Sequence, residues 1–181
     1  MLDSAAWGRA RRDGVRLPLA GRPNVGKSSV FNALIGAERA IVTTLPGTTR
    51  DRVSEAIEIA GVVVTLSDTA GLRETDDAVE AIGVRRTRET LEESGTVLWV
   101  VDGSAPLEAE DLRAADSLAG KRVLVALNKR DLGAAVRAGE VEALLGSAEW
   151  RGVVELSAAR GDGIEELRRT IAVTIGVSAA S

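Results

Sequence analysis

The sequence predicts an α/β fold, a mostly parallel six-stranded sheet with one antiparallel strand and helices on both faces. Apolar, β-branched runs alternate with helical patterns along most of the chain, the arrangement that gives a covered parallel sheet. A glycine-rich phosphate-loop motif joins the first strand to the first helix. Two short strand patterns meet with only Ala60-Gly61 between them, a hairpin signal that makes one edge strand antiparallel.

In chain order, the first apolar run predicts a strand over 15–20, followed by a helix over 27–36. Pro18 conflicts with that strand, because a central strand loses a ladder hydrogen bond there. Either a neighbour tolerates the lost donor or the strand is short. The hairpin strands fall at 53–60 and 62–68, and a helical pattern covers 79–93. TVLWVVD (96–102) and RVLVALN (122–128) are continuous β-branched runs of the kind buried parallel strands require, the second within a strand predicted at 121–128. Helical patterns over 107–118 and 134–145 flank that strand. A last strand at 152–157 and a helix at 163–173 complete the pattern. The divisions are an N-terminal arm or end of a flanking helix (1–14), one domain (15–175) and a frayed tail (176–181).

Composition narrows the chemistry. At 181 residues the chain suits one domain, and 45% hydrophobic with 28% charged residues argues against disorder. No apolar run approaches the ~20 residues of a membrane span, and no signal peptide opens the chain, so a cytoplasmic protein is expected. With no Cys and no His, thiol nucleophiles, cysteine metal sites and the commonest general base are excluded. A net charge of −4 gives no reason to expect nonspecific nucleic-acid binding. Of 23 basic residues only Lys27, Lys121 and Lys129 are lysines, and two of them lie in the motifs below.

Gly21 to Ser28 reads GRPNVGKS and fits G-x-x-x-x-G-K-[ST] after a strand and before a helix. Its glycines let backbone amides approach phosphate oxygens, and the helix start adds a favourable dipole. Lys27 reaches the β- and γ-phosphates and Ser28 ligates Mg²⁺. Asn128-Lys-Arg-Asp131 leaves a strand where open sheets place ligands. The Asp131 carboxylate can accept from two N–H groups of guanine that adenine lacks. Alone, this tetrapeptide also fits a strand exit with an Asx turn. Ser157-Ala158 after another strand adds a backbone amide able to donate to guanine O6, and the three segments together favour guanine. Asp68-Thr-Ala-Gly71 can hold Mg²⁺ through water and present an amide to the γ-phosphate. In isolation it is also an ordinary glycine turn, as LPGTTRD (45–51) is a polar one.

GRPNVGKSS, LPGTTRD, DTAGLRETDDAVEAIGVRR, NKRD and SAARGDGIEEL together resemble the GTPase domain of the MnmE (TrmE) family of bacterial tRNA-modification GTPases, from about Ala5 to about Ala172. Era- and Der-type GTPases share the phosphate loop and N-K-x-D, whereas GTTRD with DTAGLR and V-E-x-I-G is more particular to this family. The resemblance implies a Ras-like P-loop fold. It also implies hydrolysis without a Gln after Gly71, since Leu72 stands there. Glu80 is implied to act through a bridging water; read alone it is a solvated helix carboxylate. K⁺ replaces an arginine finger, held by Asn24 with Thr43, Leu45 and Thr48. Two such domains are implied to dimerise transiently through their switch regions. The full-length family protein carries flanking folate-binding and helical domains and a cysteine motif, so an excised domain is expected. It would handle GTP and GDP, while tRNA and a partner modification enzyme need the missing parts.

The resulting site has Glu80 and Lys27 as catalytic residues and Mg²⁺ on Ser28, Thr49 and, through water, Asp68. Guanine nucleotide is expected on Asn24, Val25, Gly26, Lys27, Ser28, Ser29, Thr43, Thr48, Thr49, Asp68, Gly71, Asn128, Lys129, Asp131, Ser157 and Ala158. The competing reading is an Era/Der-like switch module in ribosome assembly. An ATP-dependent phosphotransferase is disfavoured by N-K-x-D. Ser67 and Pro18 occupy places where larger apolar residues are expected, which bears on strand regularity rather than on the site.

Overall fold

A computed structural model of the chain describes residues 14–37, 53–68, 95–146 and 148–176. Along these, the elements are β1 (Val15–Ala20), α1 (Lys27–Ala37), β2 (Val53–Ile59), β3 (Val62–Asp68) and β4 (Thr96–Asp102). They continue with α2 (Ala109–Ser117), β5 (Arg122–Asn128), α3 (Ala138–Leu144), β6 (Glu149–Glu155) and α4 (Ile164–Thr174). The predicted helix over 79–93 lies outside the described residues, as do nearly all of the arm and tail.

The six strands form one sheet in the order β2-β3-β1-β4-β5-β6. All neighbours pair in parallel except β2 and β3. Period-two alternation sends successive residues of β4 to opposite faces. Leu98 and Val100 join Leu17, Leu19, Phe31, Leu34, Leu124 and Leu167 in the core on one face. Val97, Trp99 and Val101 join Ala115, Leu118, Val125, Val141 and Leu145 on the other. Both faces are therefore covered, which is why these strands carry no polar alternation.

The hairpin closes at Ile59↔Val62 with Ala60 at φ 51° and Gly61 at φ 81°. Two consecutive positive φ values define a type I′ turn, whose twist matches the flanking strands. Pro18 does not shorten β1. Its register with β3 runs through Pro18↔Ser67 unbroken, and pairing with β4 begins only at Leu19↔Leu98, after the residue that has no N–H. Ser67 likewise sits half-buried in an unbroken β3.

Two predicted elements need corrected bounds. The last strand begins at Glu149 rather than 152 and ends at Glu155 rather than 157. Its first three residues are exposed and show no apolar run, but Glu149 and Trp150 pair with Arg122 and Val123, and Arg151 is the extra residue of a bulge at the Val123/Leu124 step. The helix predicted over 134–145 spans only Ala138–Leu144. The amides of Ala135 and Val136 are committed to the Gly103 carbonyl (2.9 and 3.2 Å), so the chain turns helical only afterwards.

From β1 the chain passes to β2 and β3 on one side, then to β4 on the other. The carboxyl ends of β1 and β4 thus flank the topological switch point, where open α/β sheets bind ligands.

Candidate nucleotide-binding site

The phosphate loop leaves β1 at Gly21 (φ 147°) and enters α1 at Lys27, with Asn24 at φ 67° and Gly26 at φ 92° between them. A Cβ at Gly21 would collide with the Val100 carbonyl of β4, and one at Gly26 with the Asn128 amide. Both glycines are thus demanded by close approach as well as by φ. The Val30 N–H donates to the Gly26 carbonyl at 2.9 Å as α1 begins. Lys27 is buried, and its Nζ donates to the Gly21 carbonyl at 2.6 Å, folding the ammonium back across the loop. Ser28 and Ser29 are exposed on the first turn of α1.

The exit of β5 braces this loop. The buried Asn128 Nδ2 donates to the Val25 carbonyl at 3.0 Å. Lys129, at φ 64°, donates from Nζ to the Asn24 carbonyl at 2.6 Å. In a planar trans peptide the carbonyl and the following N–H point in opposite directions. Pinning the Asn24 and Val25 carbonyls toward β5 therefore turns the Val25 and Gly26 amides away from it, the orientation an anion cradle needs.

On its other side Asn128 meets the loop after β6, where the Ala158 N–H donates to Asn128 Oδ1 at 3.0 Å. The sequence predicts that amide on guanine O6; in this structure it completes the brace. Ser157 Oγ donates to Asp131 Oδ1 at 2.8 Å, fixing an exposed carboxylate beside the same loop.

Asp102, at the end of β4 and in register with Asn128, was missed from sequence. Its Oδ1 accepts from the Ser104 N–H (2.9 Å) and Oγ (2.6 Å), and its Oδ2 lies 3.4 Å from Lys129 Nζ. Burial alone would raise its pKa, but the Ser104 hydrogen bonds and the Lys129 charge outweigh it and hold the carboxyl below its ordinary range. The available signal was that β4 and β5 each end an apolar run on a single buried polar residue. Arg130 ties the same corner together, donating to the Gly103 and Val136 carbonyls at 3.1 and 2.8 Å. Arg22, in the phosphate loop, pairs with the buried Asp111 of α2 at 3.0 Å.

The structure thus brings together Asn24, Val25, Gly26, Lys27, Asn128, Lys129, Asp131, Ser157 and Ala158. The backbone of Asp68 ends β3 in register with Leu19, near the start of the loop. Thr43, Leu45, Thr48, Thr49, Gly71, Leu72 and Glu80 lie outside the described residues. The residues present suit the expected cations. Ser28 offers a hard hydroxyl donor at the loop, and no cluster of three acidic, His or Cys residues occurs among the described residues. A Mg²⁺ ion held at Ser28 would draw ligands from phosphates as well as protein, as Mg²⁺ usually does. The Asn24 carbonyl accepts from Lys129, and its exposed side chain is the further group that could serve K⁺.

Residues 16–129 match the family described as 50S ribosome-binding GTPase. The chain is 44% identical over 178 residues to the tRNA modification GTPase MnmE of Aquifex aeolicus, covering 98% of this chain and 38% of that protein. It is 47% identical to the protein of the same name from Heliobacterium modesticaldum, covering 94% and 36%. The chain thus spans little more than a third of the relatives it matches. Among solved structures, the G domain of the T. maritima FeoB iron transporter superposes with a TM-score of 0.62 at 29% identity, covering 88% of this chain and 98% of that one.

Proposed function

The chain belongs to the 50S ribosome-binding GTPase family, and from that premise we propose that residues 15–175 form the GTPase domain of a tRNA wobble-uridine (U34) modification protein. The domain binds GTP and hydrolyses it to GDP and phosphate with Mg²⁺, stimulated by K⁺ and by transient dimerisation through the switch regions. The observation that carries guanine-nucleotide binding is Asn128, which joins the phosphate loop to the Ser157-Ala158 loop through two hydrogen bonds. Three sequence motifs become one site through that side chain. The tRNA role is supported by relatives whose name states it and whose identity extends over nearly this whole chain.

In this reading the Val25 and Gly26 amides and Lys27 hold the phosphates. Asp131, oriented by Ser157, accepts from guanine, and the Ala158 proton is shared between Asn128 Oδ1 and guanine O6 as a three-centre bond. Ser28, Thr49 and Asp68 serve Mg²⁺, Asn24 with Thr43, Leu45 and Thr48 serves K⁺, and Glu80 orients the attacking water. Bound, the two cations supply neutralisation of charge on the phosphates. Gly71 presents an amide to the γ-phosphate. No helix among the described residues is long and apolar enough to cross a membrane, and the proposed setting is the cytoplasm. A partner enzyme and tRNA engage the longer protein rather than this domain.

The test is single-turnover hydrolysis in equimolar KCl and NaCl, with sedimentation of the GDP–aluminium fluoride complex in each salt. Faster hydrolysis and a dimer only in KCl are expected, and Glu80→Ala should lower the rate while leaving GTP binding near normal. Equal rates and a monomer in both salts would favour the second reading, an Era/Der-type switch in ribosome assembly. That reading has the family's own description behind it.

A further inference from the structure

We infer that Asp102 is a positioning residue for the phosphate cradle, acting through Lys129 and the Asn24 carbonyl; the inference rests on the guanine-nucleotide reading above. The chain of contacts is short. Ser104 fixes Asp102 Oδ1 through its N–H and its hydroxyl, leaving Oδ2 facing Lys129 Nζ at 3.4 Å. The same Nζ donates to the Asn24 carbonyl at 2.6 Å. Asn24 carries a positive φ, which Asn tolerates better than most residues, and the Lys129 hydrogen bond fixes the direction of its carbonyl. With that carbonyl held, the Val25 N–H faces into the loop.

Lysine is flexible and has three donors. A side chain 30% exposed does not settle on one carbonyl without a second anchor, and Asp102, only 11% exposed, is that anchor. Its carboxylate is itself immobilised from behind by Ser104, so the direction of the pair is set by the end of β4 and not by solvent. The β4 terminus thereby sets the geometry of a loop that follows β1. Contact with the base is not required of Asp102, so its effect should fall on the phosphates.

The test compares GDP and GMP binding to the full chain by competition against a fluorescent GDP analogue, for wild type, Asp102→Asn, Asp102→Glu, Lys129→Met and the Asp102→Asn/Lys129→Met double variant. Asn keeps an acceptor for Ser104 but can turn a donor toward Lys129. Asp102→Asn should weaken GDP about tenfold, within what one charge-assisted hydrogen bond contributes, and GMP about twofold or less. Asp102→Glu, which restores the charge at a longer reach, should recover part of the GDP affinity. In the Lys129→Met background, Asp102→Asn should change the GDP-to-GMP ratio no further. A merely structural Asp102 would lower the unfolding temperature and leave that ratio as in wild type in every variant, which would overturn the inference. If Asp102→Asn does not fold, Lys129→Met decides, since it removes the donor to the Asn24 carbonyl, and an unchanged GDP-to-GMP ratio there counts against the inference. A wild-type chain that binds neither nucleotide would sink the functional reading itself, a separate outcome.

Discussion

Replacing Asn128 should damage the empty protein as well as nucleotide binding. The side chain is 2% exposed and satisfies two backbone groups from segments far apart, the Val25 carbonyl and the Ala158 N–H, each at 3.0 Å. Asn128→Ala leaves a buried acceptor and a part-buried donor behind. Each orphaned group costs about 1–3 kcal/mol, so the free chain should lose about 2–6 kcal/mol. Asn128→Asp keeps an acceptor for Ala158 but places a second oxygen against the Val25 carbonyl. Repulsion there, with a charge buried at the end of β5, should make it at least as damaging as Ala. The assay is equilibrium urea unfolding without nucleotide, beside GDP titration. Both variants should show lower midpoints with unchanged slopes, and both should bind GDP weakly. An Asn128→Ala protein within 0.5 kcal/mol of wild type yet unable to bind GDP would refute the bracing argument. Asn128 would then be a base contact alone.

Further outcomes can be checked on the same protein. Ala60→Asn, which supplies the Asn-Gly pair that a type I′ turn prefers, should relieve the strain of Ala60 at φ 51° and stabilise by about 0.5–1 kcal/mol, read as a rise in melting temperature. Asp131→Asn should weaken GTP and improve xanthosine triphosphate binding, because the amide can offer a donor to the xanthine oxygen; unchanged preference in competition would remove Asp131 from the base site. The folded Asp102 carboxyl lies below its ordinary 3.8, so the unfolded chain binds its proton first as pH falls. Its contribution is thus fully present above pH 3.8 and lost as pH drops through the lower folded value. Urea midpoints of wild type and Asp102→Asn should converge on acidification, and a gap that stays constant would contradict the assignment.

Where one local signal decided the outcome, the sequence was readable. The buried runs 96–102 and 122–128 could be little other than covered strands, and Ala60-Gly61 between two strand patterns left only a hairpin. The phosphate loop was equally plain, because strand, glycines and helix start are contiguous. What escaped depends on register across the sheet. Glu149 and Trp150 belong to no apolar run, yet they pair with Arg122 and Val123 of β5. The helix after β5 starts late because Gly103, some thirty residues earlier, claims two amides. Within the site, the residues of N-K-x-D were found but two of their tasks were not. Asn128 reaches Val25 across 103 positions and Lys129 reaches Asn24 across 105, and no local spacing encodes that. Asp102 went unnoticed for the same reason, since its partner Lys129 belongs to the neighbouring strand's exit.

The bulge in β6 bears on how copies of this chain can meet. Among the described residues the sheet ends at β2 and β6, and edges that are continuous, flat and apolar are the ones that invite another strand to add on. Here β6 is interrupted at the Val123/Leu124 step and carries exposed Glu149, Arg151 and Glu155 along its length. The opposite edge, β2, exposes Glu55 and Glu58. A second copy approaching edge to edge would set like charges against each other on β2 and meet a broken ladder on β6. Both margins of the sheet are thus poor templates for backbone pairing.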